Sequence, residues 1–144
     1  MSATVLYRIA AVIFILFALG HTAGFLTFRP HSAEGLAVYE SMNSVHFVED
    51  GHSFSYGNFY RGFGLSISVT MLFSAFLCWH LGTLARSAPS AIGALGWLFC
   101  AVQVFGIVIG FVYYSVVQAA FAGAIALCIG WAAAVTKPAA PQPN

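Results

Sequence analysis

The sequence predicts an all-α membrane protein, a bundle of four transmembrane helices with a short amphipathic helix in one connecting loop. Composition carries the first half of that statement. Of 144 residues, 60% are hydrophobic and nine are charged, five Lys or Arg and four Asp or Glu. An average soluble domain of this length carries roughly 36 charges, at about 25%. Nine charges cannot cover a water-facing surface, and disorder requires low hydrophobicity and high net charge. Patterning carries the second half: the apolar residues fall in continuous runs, which favours helices over the alternating strands of a β-barrel. A net charge of +1 argues against nucleic acid as a partner, because a nucleic-acid binder needs a basic stripe to release counterions.

The first span is expected over residues 7–28, with no charge after Arg8. Arg8, the apolar run and the small residues Ala18, Gly20 and Ala23 have the outline of a signal peptide, but the segment is read as a span. The second span is expected over residues 59–84, with Arg61 near its first turn. Residues 91–135 contain no charge. As one helix they would reach about 67 Å, twice the hydrocarbon thickness. They must therefore fold back, and the turn is placed at Tyr113-Tyr114-Ser115-Val116-Val117-Gln118, where interfacial aromatics meet polar groups. This gives spans at 91–114 and 118–136. Residues 1–137 then form one transmembrane domain. Lys137-Pro138 stops the last helix, and 138–144 reads as a disordered tail.

Charge placement sets the expected orientation. All four acids, Glu34, Glu40, Glu49 and Asp50, lie in the loop 29–58, which sums to −2 with Arg29 and Arg61. Arg8, Arg86 and Lys137 fall on the opposite side of a four-span chain. The positive-inside bias places both termini in the cytoplasm and the loop outside. That loop is long for so small a protein. Within it a helix is expected over residues 33–45. Ser32 can cap it, Glu34 suits its first turn, and Leu36, Tyr39, Met42 or Asn43, and His46 recur at helical spacing. Gly51 and residues 53–58 then return the chain to the second span.

Helices in lipid associate through close packing and a few polar contacts. Gly20 and Gly24 on the first span, and Gly106 and Gly110 on the third, supply small residues four apart. Either pair can seat a helix of the same chain or of a second copy in a homo-oligomer. Cys78, Cys100 and Cys128 sit one each on spans two, three and four, with no CxxC pair, and read as packing residues.

Polar side chains inside a membrane are costly and ask for a reason. His21 falls in the outer half of the first span, the hydroxyls of Ser66, Ser68, Thr70 and Ser74 step through the second, and Gln103 lies near the midplane of the third. No acid lies within any span, which argues against a carboxylate-based proton pump or ion-coupled carrier. Three kinds of site come into question. A single haem between His21 and His80 is rejected, because the two differ in depth by roughly 17 Å, and no cofactor is expected. His46, Glu49, Asp50 and His52 are metal-ligand types crowded together, but the spacing matches no defined motif and suits a solvated turn. The third is a ligand pocket opening at the loop end. There His21, Tyr60, Arg61, Tyr113, Tyr114 and Gln118 converge by depth, with Gln103 at the floor. Aromatic walls with a few convergent polar groups are what such a site needs. For His21 the favoured partners by depth are Ser66 or Thr70, Tyr113 or Tyr114, and Gln118.

Asn43-Ser44-Val45-His46-Phe47, with Tyr56-Gly57-Asn58-Phe59-Tyr60-Arg61-Gly62-Phe63-Gly64-Leu65 and Gly20-His21-Thr22, resembles a group of small bacterial four-span membrane proteins without assigned function. The resemblance implies a bacterial inner-membrane location and carries over no ligand or activity. Size and span count are also similar to the DoxX-like and MAPEG families. An intramembrane Glu-Arg motif of the MAPEG kind is lacking, which argues against glutathione chemistry. Carboxylates of the emopamil-binding-type sterol isomerases are also lacking. Two functions fit the residues. One is binding of a lipidic or small apolar ligand, or of a partner protein, at the outer end of the bundle. The other is a small membrane enzyme acting on a lipid or quinone-like substrate, with His21 or His46 as acid-base group.

Overall fold

The structure, a computed structural model, describes residues 1–136. Lys137 and the tail expected at 138–144 lie outside the described residues. The elements in chain order are α1 (Ala3–Thr27), α2 (Ala33–Ser44), β1 (His46–Glu49), β2 (His52–Ser55), α3 (Tyr56–Ser87), a 3-10 turn (Pro89–Ala91), α4 (Leu95–Tyr113) and α5 (Val116–Val135). Helices α1, α3, α4 and α5 are each long and apolar enough to cross a membrane. The fold is an all-α bundle of a multi-pass membrane protein. Helices α4 and α5, with 19 and 20 residues, reach about 29 and 30 Å, the thickness of the hydrocarbon core. Helix α3 has 32 residues, about 48 Å, so it extends beyond that core. Large apolar side chains such as Leu16, Phe76, Phe105 and Leu127 are more than half exposed. Water would penalise so much exposed apolar surface, whereas lipid tails solvate it.

The chain divides into two compact units, residues 18–70 and residues 1–17 with 71 onward. In the second of these, Leu6, Tyr7, Ala10, Ala11 and Phe14 form a buried stripe along α1. Ala119, Ala122, Ile125, Ala126, Ile129 and Ala132 do the same along α5. Both stripes repeat at three- and four-residue steps, the period of one helix face. Tyr7, Cys78, Leu81, Ile125 and Ile129 form the fully buried centre. Phe14 stacks on Phe99 with centroids 5.8 Å apart, and Phe17 on Phe121 at 4.7 Å.

Glycine sets how closely these helices approach. A Cβ at Gly110 would stand 2.9 Å from the Ala119 nitrogen and 3.0 Å from its Cα. At Gly96 it would meet the Tyr7 hydroxyl at 2.6 Å and the Ala133 Cβ at 3.1 Å. Gly106 has an ordinary contact, with the Ala122 Cβ at 3.5 Å. The Gly106 and Gly110 pair therefore faces α5 of its own chain. Gly20 and Gly24 have nothing within 4 Å among the described residues. The three cysteines are free thiols, and Cys100 Sγ donates to the Ala126 carbonyl at 3.4 Å. The fold-back between α4 and α5 falls at Tyr114 and Ser115, within the expected turn. Ser115 caps α5 by accepting from the Gln118 amide.

The unit over residues 18–70 holds the end of α1, α2, the two strands and the start of α3. Ser32 caps α2, its Oγ accepting from the Gly35 amide at 3.0 Å, and Glu34 sits in the first turn. Two details differ from the sequence expectation. The helix stops at Ser44, so His46 does not continue its face. The chain then forms a hairpin in place of a plain return, with His46 opposite Ser55, Phe47 opposite Phe54 and Glu49 opposite His52. The cause is Asp50-Gly51, at φ values of 50° and 77°. Two positive φ values in a two-residue loop match the right-handed strand twist. Helix α3 follows without a linker, and Ser55 Oγ accepts from the Asn58 amide at its start.

The glycine contacts predict a contrast. Gly110→Leu should destabilise the protein by about 1–3 kcal/mol through overpacking, seen as a lower melting temperature in detergent. Gly20→Leu should stay within about 0.5 kcal/mol. Equal losses at both positions would contradict the packing described.

Candidate ligand site

The first four α-helical turns of α3 and the last turns of α1 are tied by side chains that a membrane would otherwise penalise. His21 Nδ1 lies 3.1 Å from Ser68 Oγ, and Thr22 Oγ1 lies 2.7 Å from the same oxygen. Thr22 Oγ1 is also 2.7 Å from the Ala18 carbonyl. A hydroxyl has one proton, and a carbonyl can only accept. Ser68 Oγ donates to the Gly64 carbonyl at 3.2 Å, which leaves its oxygen to accept from Thr22 Oγ1 and from His21 Nδ1–H. The Thr22 proton lies between two acceptors, the Ala18 carbonyl and Ser68 Oγ. Ser68 is the buried member of the set. The partner is thus Ser68, not Ser66 or Thr70. All three hydroxyls donate to carbonyls of their own helix, Gly62, Gly64 and Ser66, and of the three it is the Ser68 oxygen that also meets His21 and Thr22.

His21 stacks on Phe25 with centroids 5.9 Å apart, and Phe25 meets Tyr60 edge-on at 5.8 Å. Phe25 leans over Gly64, where a Cβ would stand 2.6 Å from its ring. This aromatic chain leads to a cavity of about 560 Å³. The end of α1 contributes Phe25, Leu26 and Phe28, with Pro30 beyond it. Helix α2 contributes Gly35, Val38, Tyr39, Met42 and Asn43, a stripe at three- and four-residue steps. The start of α3 closes the third side with Gly57, Tyr60 and Arg61.

Two glycines bring these walls together. A Cβ at Gly35 would stand 2.9 Å from the Pro30 Cβ, and one at Gly57 would stand 2.5 Å from Asn43 Oδ1. Close approach at these two points leaves the bulky residues between them unable to fill the gap. Arg61 is held in place on the α3 side. Its Nε donates to the Gly57 carbonyl at 3.3 Å, and its Nη2 donates to Asn43 Oδ1 at 3.0 Å. Asn43 is itself oriented, since its Nδ2 donates to the Tyr39 carbonyl at 2.7 Å.

Of the residues singled out in the sequence, Tyr60 and Arg61 line this cavity. His21 reaches it through Phe25. Gln103, Tyr113, Tyr114 and Gln118 belong to the other unit. Phe25 and Val38 were not expected in a site, and Tyr39, Met42 and Asn43 were expected as a face of the loop helix and not as ligand-binding residues. The α2 periodicity was the signal that pointed to its inner face. The loop residues His46, Glu49, Asp50 and His52 are spread by the hairpin. Glu49 and His52 are a cross-strand pair, His46 pairs with Ser55 at the other end, and Asp50 sits in the turn. His46 Nδ1 donates to the Ser44 carbonyl at 2.8 Å. Among the described residues no group of three or more His, Cys, Asp or Glu side chains could hold a metal ion.

The link between α1 and α3 predicts non-additive energetics. His21→Phe and Ser68→Ala should each destabilise the protein, with a coupling of about 1 kcal/mol in a double-mutant cycle. Strict additivity in detergent unfolding would contradict the hydrogen bond. No protein-family model, curated protein or solved structure matches the chain.

Proposed function

We propose that the protein binds a lipidic or other small apolar ligand in the cavity formed by the end of α1, helix α2 and the start of α3. The cavity itself supports this reading. Its volume, about 560 Å³, falls in the range of roughly 300–1,000 Å³ occupied by small-molecule sites. Its walls are chiefly apolar and aromatic, with the polar groups of Asn43 and Arg61 gathered on one side. A concave site of this kind suits a small molecule better than the face of a partner protein. Catalysis has less to support it, because neither His21 nor His46 lines the cavity and each Nδ1 is engaged by a neighbour.

The same reading includes a place in the cell. The chain sits in a bacterial inner membrane with both termini in the cytoplasm and the cavity at the outer surface. The support is the excess of Arg8, Arg86 and Lys137 over Arg29 and Arg61, together with the four acids of the loop.

Val38 is mostly exposed, at 62%, so a larger side chain there can fill the cavity without disturbing a core. Val38→Trp should fold normally and lose an apolar ligand that the unmodified protein retains, as read by native mass spectrometry from mild detergent. Retention of that ligand by the folded variant would contradict the site. For orientation, Ser41→Cys in a chain whose own cysteines are replaced should react with an impermeant thiol reagent in intact cells. Labelling only after lysis would reverse the topology.

A further inference from the structure

We propose that the ligand of this cavity is an amphiphile with one anionic head, a carboxylate or a phosphate, and that Arg61 binds the head while the tail lies along Phe25, Leu26, Val38 and Met42. The proposal rests on the binding reading above and adds the chemistry of the head.

The charge at the cavity wall is one-sided. Arg61 is a lining residue, and none of Glu34, Glu40, Glu49 or Asp50 is. A guanidinium carries five N–H donors and no acceptor. Two of the five are used, on the Gly57 carbonyl and on Asn43 Oδ1. Both partners are neutral, so they orient the cation without neutralising it. Three donors remain for a ligand. A planar fork of this kind matches carboxylate and phosphate oxygens, and such charge-assisted bonds are about twice as strong as neutral ones. Preorganisation helps, because the side chain has already lost its rotamer freedom to Asn43 and Gly57.

The position of Arg61 suits a ligand drawn from the membrane. It is the sixth residue of α3, a helix longer than the hydrocarbon core. A cation at such an end stands at headgroup depth. The apolar wall from α1 begins at Phe25, within a span. A ligand with its head at Arg61 therefore keeps its charge at the interface and its chain toward the apolar side. A cationic head would meet Arg61 as a like charge. A neutral head can accept from Arg61 but without the charge pairing an anion adds.

The test compares ligands of one chain length and different heads on the full chain in neutral detergent, by equilibrium binding at mildly alkaline pH. The probes are palmitate, hexadecyl phosphate, hexadecanol and hexadecyltrimethylammonium. At least one anion should bind about tenfold or more tighter than hexadecanol, and the cation more weakly than either. Preference for palmitate assigns a fatty acid, and preference for hexadecyl phosphate assigns a phosphate head. Both results support the proposal. Arg61→Gln should weaken the anions far more than hexadecanol and so remove most of the difference between them, and Arg61→Lys should restore part of it. If Arg61→Gln does not fold, the series on the unmodified protein decides. Equal binding of anions and alcohol overturns the anionic head and leaves the binding site standing. Failure of all four probes, or hexadecanol binding that survives Val38→Trp, overturns the site itself.

Discussion

Close backbone approach at glycine is the constraint on which the rest of this structure depends. Lipid tails are as apolar as the side chains they surround, so burial of Leu or Phe does little to hold helices together. Contact distance decides instead. At Gly110 and Gly96 a single added carbon would collide with Ala119 or Tyr7. The same device acts in the 18–70 unit. Gly35 lets α2 close on Pro30, Gly57 lets α3 close on Asn43, and Gly64 lets Phe25 lie across α3. The cavity is a by-product of these contacts. Three points are drawn together, and Val38, Met42 and Tyr60 cannot collapse into the space between them.

Polar groups in this chain follow from the same economy. The membrane-spanning parts contain no carboxylate, so His21 finds hydroxyls for partners. The trio of His21, Thr22 and Ser68 ties α1 to α3, with backbone carbonyls of Ala18 and Gly64 as further acceptors. Arg61 is treated differently. Its partners are a carbonyl and an amide oxygen, and its charge is left uncompensated at the cavity wall. Hydrogen bonds that join two helices suit a structural link, whereas an oriented and unneutralised cation suits a ligand head.

Much of the fold was legible in the sequence because the membrane simplifies the reading. Long apolar runs have one stable solution, and the 45 uncharged residues from 91 to 135 had to fold back. The cap at Ser32 was legible for the same local reason, since one side chain meets one amide. The hairpin was not read, although Asp50-Gly51 between His46-Phe47-Val48-Glu49 and His52-Ser53-Phe54-Ser55 carries its signal. The acidic and histidine residues there are metal-ligand types, but their places are set by the turn at Asp50-Gly51. Ser68 was passed over for Ser66 and Thr70 because depth does not fix rotation. Ser68 lies about 200° round the helix from Ser66, and which face meets α1 is a matter of packing. The α2 wall of the cavity was out of reach for a related reason. The periodicity of α2 marks a face that includes Met42, but that this face meets Phe25 is set by the fold of the chain and not by local sequence.

The central claim is that a ligand occupies the space bounded by α1, α2 and α3. Photo-crosslinking with a diazirine-bearing fatty acid, followed by peptide mapping, tests it most directly. The account predicts adducts concentrated on residues 25–30, 35–43 and 57–61, and suppressed by excess unlabelled palmitate. Adducts confined to lipid-facing residues such as Phe105 and Leu127, unaffected by competitor, would contradict it.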